Sequence, residues 1–171
     1  MTLQLPQNTN FLNPQNFKLV LKRAPLLEFF AIAVRLPDLM LMSVDIGTQF
    51  VPIKTTETHV SYSQMTVQFL VDEQLNNYNE IYDWINRRGF PVDYNQYRSI
   101  SSQKQESGRW LDSDISVLVE NSNHKAVGEF TLIDAHPTSL SGIQLNTTDN
   151  DIRPASATVV FDFTRLTFDQ L

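Results

Sequence analysis

Alternation of apolar and other residues along the chain predicts a mainly β protein. Phe17, Leu19 and Leu21 share one side of a two-residue period, and Met65 to Val71 repeats the pattern. This period places successive side chains on opposite faces, which is typical of a half-buried strand. The candidate strand segments are residues 16–22, 29–36, 39–46, 49–54, 65–71, 115–119, 127–134, a short stretch at 143–145 and a long last one at 155–168, from which we predict about eight strands.

One segment changes to the helical period. Its apolar residues recur at the spacing of one helical face: Leu75, Tyr78, Ile81, Tyr82 and Ile85. Asp72 is a suitable N-cap, and Gly89 followed by Pro91 provides a stop signal. We therefore predict one helix over residues 74–88, with these five side chains packed on the sheet.

The polar stretches define the expected domain organisation. Residues 1–15, rich in Asn, Gln and Pro, are expected to form a flexible arm, and residues 16–171 a single domain. Residues 91–111 and 137–142 are interpreted as a loop and a connection. The predicted architecture is an antiparallel β-sandwich or half-barrel with one inserted helix. Its sheet edges need covering, which oligomerisation often provides.

Composition narrows the classes of function. The formal charge of −6 argues against a protein that binds nucleic acid by neutralising phosphates. The absence of cysteine removes disulfides, thiolate metal sites and thiol nucleophiles. His59, His124 and His136 are scattered, without metal-ligand spacing, and no nucleophile motif is present. We therefore expect that the protein is not an enzyme and that it has no cofactor, no metal site and no membrane segment.

The order of the segments resembles the tail-tube protein family of contractile-tailed bacteriophages. The resemblance covers roughly residues 16–168 and rests on joint order and spacing. Its segments are residues 16–21 (NFKLVL), 34–37 (VRLP), 65–73 (MTVQFLVDE), 83–84 (DW), the hairpin 115–134, residues 136–145 (HPTSLSGIQL) and the closing strand 157–168.

This resemblance implies a structural virion protein. Six copies would form a ring, and stacked rings would form a tube that conducts DNA inside the tail sheath. The protein would be assembled in the host cytoplasm and reside in the virion tail. Tube-fold relatives also include baseplate hub, tube-initiator and terminator proteins, so these positions remain alternatives. A small ligand-binding β-sandwich is a further alternative, with Tyr94, Tyr97 and Trp110 as its aromatic patch.

Two sites are candidates for the assembly function. Leu39, Met40, Leu41 and Met42 form an unbroken apolar run that cannot all face inward from one strand. We predict an assembly surface there, with a strand buried on both faces as the alternative. Asp162 lies among Val160, Phe161 and Phe163, and is expected to face the channel, to be paired inside or to lie on a solvated outer face.

Overall fold

The computed structural model describes residues 10–89, 112–147 and 153–171, except for the side chains of residues 57 and 58. Within these ranges there are nine strands and two helices. They are β1 (Phe17–Leu21), α1 (Pro25–Phe30), β2 (Ala31–Arg35), β3 (Leu39–Ile46), β4 (Ile53–Tyr62), β5 (Met65–Leu70), α2 (Asn76–Gly89), β6 (Ser113–Glu120), β7 (Ala126–Leu140), β8 (Ser156–Asp162) and β9 (Arg165–Gln170).

Seven strands form one antiparallel sheet in the order β1-β6-β7-β8-β5-β2, with β9 also paired to β7. Strands β3 and β4 form a separate two-stranded sheet. The predicted fold class, mainly β and antiparallel, is confirmed. Asp134 has a left-handed φ of 56° in the middle of β7, next to a shift in the β6–β7 register. Such bulges bend a strand, and this one marks where the sheet changes direction.

The core is built from the alternating positions of the strands. Its largest side chains come from β1, β5, β6, β7 and β8 and include Leu21, Met65, Phe69, Ile115, Leu132 and Phe161, all fully buried. Helix α2 covers this layer, and the Trp84 ring lies 6.0 Å from that of Phe161. The two-residue periods of β1 and β5 therefore predicted the buried faces correctly.

The first helix was not predicted. Residues 29–36 were expected to be a strand, but α1 occupies Pro25–Phe30 and β2 begins only at Ala31. Pro25 stops β1 and also suits the first turn of a helix, because its fixed φ is helical and its missing N–H would be unpaired there. The predicted inserted helix is α2, and the described residues contain α1 as a second helix that the sequence pattern did not indicate.

The second helix is confirmed, but its start and buried face differ from the prediction. Leu75 has a φ of 60°, so α2 begins at Asn76, and Asp72 is not its cap. The buried positions are Asn77, Ile81 and Trp84; the predicted Leu75 and Tyr82 are exposed.

Asn77 explains this rotation of the helix. Its side chain accepts a hydrogen bond from the Asp72 amide at 3.1 Å and donates one to the Leu70 carbonyl at 2.7 Å. The end of β5 and the start of α2 are thereby joined. A polar residue in this structural role has no signature in hydrophobic periodicity.

The C-terminal half departs from the prediction in three places. Strand β7 continues through Pro137 to Leu140, so the predicted connection at residues 137–142 is wrong, and residues 143–145 are not a strand. Pro137 is tolerated because it lies at a register shift between β7 and β8. The predicted last strand is interrupted at Phe163 and Thr164, although the pairing with β7 keeps one register across this break, from Gly128 opposite Gln170 to Pro137 opposite Phe161.

Some expectations fall outside the described residues. They concern most of the N-terminal arm and the loop at 91–111 with its aromatic patch Tyr94, Tyr97 and Trp110. No helix in the described part of the chain is long and apolar enough to cross a membrane.

Candidate assembly surface

The β3–β4 hairpin extends the β2–β5 pair beyond the end of the main sheet. Arg35 lies opposite Thr66 in the β2–β5 pair, and Leu39 lies opposite Tyr62 in the β3–β4 pair, four residues further along both strands. The two ladders thus share one register as far as Leu41, beyond which the β3–β4 pairing shifts. Eight residues of β3 at the usual rise per residue give a projection of about 25 Å.

Short contacts hold the hairpin at its base. The Asp38 amide donates to Ser63 Oγ at 2.7 Å, and the Ser63 amide donates to the Asp38 carbonyl at 3.0 Å. Arg35 forms an ion pair with the Asp38 carboxylate at 3.4 Å. The Tyr62 and Phe163 rings lie 5.9 Å apart. These contacts fix the orientation of the hairpin relative to the main sheet.

The predicted apolar run lies on β3 and is exposed. Relative exposures are 68 % for Leu39, 47 % for Met40, 55 % for Leu41 and 63 % for Met42. The alternative of a strand buried on both faces within the monomer is therefore wrong. Its use as an assembly surface remains a prediction.

The two faces of β3 differ along its length. Because side chains alternate, Leu39 and Leu41 share a face with Ser43 and Asp45, which turns polar toward the tip. The other face is apolar throughout: Met40, Met42, Val44 and Ile46. All four of these side chains are exposed. Monomers rarely expose a contiguous apolar surface of this kind, so this face indicates a contact with another chain.

The tip adds an apolar group that the sequence analysis missed. The predicted strands 39–46 and 49–54 leave only Gly47 and Thr48 for a tight reversal, but the loop runs from residue 47 to 52, and β4 begins at Ile53 instead of residue 49. The Thr48 hydroxyl donates to the Val51 carbonyl and accepts from the Val51 amide at 3.2 Å. This turn presents Phe50, which is 89 % exposed, together with Val51.

Asp162 lies at the end of β8 and is exposed, so the option of a carboxylate paired inside the protein is wrong. Its Oδ1 accepts a hydrogen bond from the Phe163 amide at 3.0 Å. On the same outward face, neighbouring β5 and β8 positions carry Thr66, Gln68, Thr158 and Val160. The charged neighbour across β5 is Arg35, which lies opposite Thr66 and forms an ion pair with Asp38. Asp162 therefore brings a negative charge to a face that is otherwise neutral on β5 and β8.

A charged cluster beside α2 has a structural role. Arg88 pairs with the Asp112 carboxylate, and His136 Nδ1 lies 3.8 Å from the same carboxylate. The Arg23 guanidinium lies 5.1 Å from the centre of the Trp84 ring, and burial, followed by the nearby Arg87, lowers the pKa of Arg23. These contacts tie α2 to β6 and β7.

Metal-ligating side chains do not gather in the part of the chain that the structure describes. His59, His124 and His136 lie on different strands and turns. His124 lies in the turn of the β6–β7 hairpin and approaches Glu120 at 3.3 Å.

Solved structures of contractile injection systems share this fold. A cap chain of the anti-feeding prophage is 16 % identical, with 100 % of this chain and 95 % of the cap covered at a TM-score of 0.63. A second similar chain comes from the sheath–tube complex of an extracellular contractile injection system in the extended state. It is 16 % identical, with 95 % of this chain and 94 % of that chain covered at a TM-score of 0.65. A chain of the anti-feeding prophage baseplate is 12 % identical, with 89 % of this chain and 89 % of the baseplate chain covered at a TM-score of 0.60.

The chain is an antiparallel β protein whose projecting hairpin exposes an apolar face. The model of the phage tail tube protein family matches residues 2–169, and the chain belongs to this family. The resemblance noted in the sequence is thereby confirmed, and the family is structural rather than enzymatic. A search of curated proteins found no match.

Proposed function

We propose that this chain is the ring-forming subunit of a tail tube, with six copies per ring and rings stacked through the β3–β4 hairpin. The observation that carries the proposal is the hairpin itself, which leaves the main sheet and exposes an apolar face from Met40 to Ile46. Fully burying one large apolar side chain stabilises a contact by about 1.5–3 kcal/mol. Four such residues in one row supply a substantial part of a ring-to-ring contact.

Ring closure is assigned to the open strand edges. Among the described residues, β1 pairs with β6 alone, β2 with β5 alone and β9 with β7 alone. Unpaired backbone groups along such edges are templates for pairing with another chain. Joining edges between copies would satisfy these groups and close a ring without a free edge.

The channel wall is assigned to the outward face of β5 and β8. This face carries the neutral Thr66, Gln68 and Thr158, and Asp162 adds negative charge. Arg35, opposite Thr66, is paired with the Asp38 carboxylate at 3.4 Å. With this cation paired and a charge of −6 on the whole chain, a wall of this kind would let DNA pass without being held.

The tube position is favoured over the terminator, initiator and hub positions by the hairpin. A repeating tube needs every copy to contact the next ring, and every copy of this chain carries the projecting surface. The sheath and other tube or baseplate proteins are the remaining partners in this proposal. Assembly would occur in the host cytoplasm and end in the virion tail.

Electron microscopy of the purified protein tests the proposal. We expect rings and tubes from the parent chain. A Met40→Ser/Met42→Ser variant should remain folded by circular dichroism and form rings that do not stack, because two apolar groups of the hairpin face are lost. The matched control, Ser43→Ala on the opposite face, should stack normally. Normal stacking by the double variant, or its unfolding, would contradict the role of the hairpin.

A further inference from the structure

A small pocket of about 200 Å³ opens beside α2, next to the turn that follows β1. Its lining combines one aromatic ring with charged side chains: Arg23, Glu80, Asp83, Trp84 and Arg87. The Arg23 guanidinium forms one wall, 5.1 Å from the centre of the Trp84 ring. Burial and then repulsion from the nearby Arg87 lower the pKa of Arg23, so an anion placed between these two cations would relieve their repulsion.

Two polar groups of this pocket lack a partner within the described part of the chain. The Arg87 guanidinium is exposed and forms no ion pair there. The Glu80 Oε2 atom is buried and accepts no hydrogen bond there. By contrast, the remaining acid, Asp83, accepts a hydrogen bond from the Asn79 side chain at 3.5 Å. The pocket therefore offers a ligand both a cationic donor and a buried acceptor.

The spacing of these two groups favours a chain segment over a single ion. Glu80 and Arg87 lie on the same side of α2, two turns apart, which is about 10 Å along the helix axis. About three residues of extended chain cover that distance. A segment with a carboxylate side chain at Arg87 and a backbone N–H at Glu80 would satisfy both groups. Arginine suits the carboxylate because its planar guanidinium can donate two parallel hydrogen bonds.

The fold places this pocket away from the proposed channel. Trp84 packs on Phe161, which is buried on the core face of β8, whereas Asp162 lies on the opposite face. If the face of Asp162 lines the channel, α2 and its pocket must lie on the outside of the ring. In the proposed tail, the sheath is the protein that surrounds this side of the tube.

We propose that the pocket beside α2 binds an acidic segment of the sheath, with a carboxylate held by Arg87 and Arg23 and a backbone amide donating to Glu80. The proposal rests on the proposed tube function and names the site and the chemistry of its sheath contact. It gives a partner to the buried Glu80 oxygen and a counter-charge to Arg87.

Peptide titration of the monomer, below the concentration of assembly, tests the chemistry of the pocket. The chain has two tryptophans, so a Trp110→Phe background leaves Trp84 as the single indole N–H signal in nitrogen-15 NMR spectra. We expect an acetylated hexaglutamate peptide to shift this signal, and hexaglutamine to leave it in place. Arg87→Gln should weaken hexaglutamate binding several-fold. The matched control, Lys125→Gln, removes the same charge from the exposed β6–β7 turn and should bind like the parent. Parental affinity in Arg87→Gln, or an equal loss in Lys125→Gln, would overturn the proposal.

Co-sedimentation of labelled hexaglutamate with assembled tubes tests the assignment to the sheath. Tubes of the parent chain should carry the peptide down, and Arg87→Gln tubes should carry several-fold less. If the monomer binds the peptide and the tubes do not, another copy covers the pocket and the sheath assignment is overturned. A parent chain that forms no tubes would refute the proposed function and the sheath assignment with it, whereas the monomer titration would still decide whether the pocket binds carboxylates.

Discussion

Replacing Asn77 tests the polar link between β5 and α2. In Asn77→Ala, the Asp72 amide and the Leu70 carbonyl both lose their side-chain partner. An unsatisfied group that is fully buried costs about 1–3 kcal/mol. Asp72 and Leu70 are only partly buried, so water recovers some of that loss. We expect the free energy of unfolding to fall by about 2–4 kcal/mol for the two groups together.

Urea denaturation followed by circular dichroism, below the concentration of assembly, measures this loss. The control is Asn79→Ala, on the exposed side of the same helix, where the Asn79 side chain makes one long hydrogen bond of 3.5 Å to Asp83. It should change stability by less than about 0.5 kcal/mol. A loss for Asn77→Ala no larger than that of the control would refute the account of how α2 is positioned.

Three further predictions concern the helix, its buried acid and the channel wall. Ile81→Asp should prevent soluble folding because Ile81 is fully buried, whereas Tyr82→Asp, at an exposed position, should melt like the parent. Burial raises the pKa of Glu80 and outweighs the hydrogen bond from the Leu26 backbone, which lowers it. Ionisation of Glu80 therefore destabilises the fold as pH rises through the folded pKa. Glu80→Gln should therefore raise the Tm near neutral pH, and a gain that persists below about pH 4 would contradict this cause. Duplex DNA should show negligible affinity for the assembled protein at low salt, and tight, salt-sensitive binding would rule out the assignment of the Asp162 face to the channel.

Strong alternation was sufficient to predict the strands of the core. Leu19 and Leu21 in β1, and Met65, Val67 and Phe69 in β5, are buried as their two-residue period indicates. The turn between β6 and β7 was also predictable, because its residues readily form turn hydrogen bonds. Asn121 accepts hydrogen bonds from the amides of Asn123 and Lys125, which forms the predicted turn between β6 and β7.

Features that depend on tertiary contacts were not predictable in the same way. Helix α1 is six residues long, which is too short for a periodic signal. Pro25 is as compatible with the end of a strand as with the start of a helix. The buried face of α2 is set by Asn77, which a hydrophobic pattern counts as an exposed polar residue. The apolar run at Leu39 has no period, so only the register of β3 on β4 shows which face each side chain occupies.

The tube family could be recognised from the order of elements, but the assembly surface required coordinates. The exposed Phe50 lies in a loop that the sequence suggested was a short reversal followed by a strand. Its exposure depends on the Thr48 hydrogen bonds and on the later start of β4. The hairpin tip is therefore a feature of the folded chain rather than of any motif.

A cryo-EM reconstruction of the assembled protein tests the central claim most directly. The account predicts stacked rings of six copies, with the Met40 and Met42 side chains buried in density between adjacent rings and the Asp162 face toward the channel. A tube in which the β3–β4 hairpin points into solvent, or a protein that remains monomeric at every concentration, would contradict it.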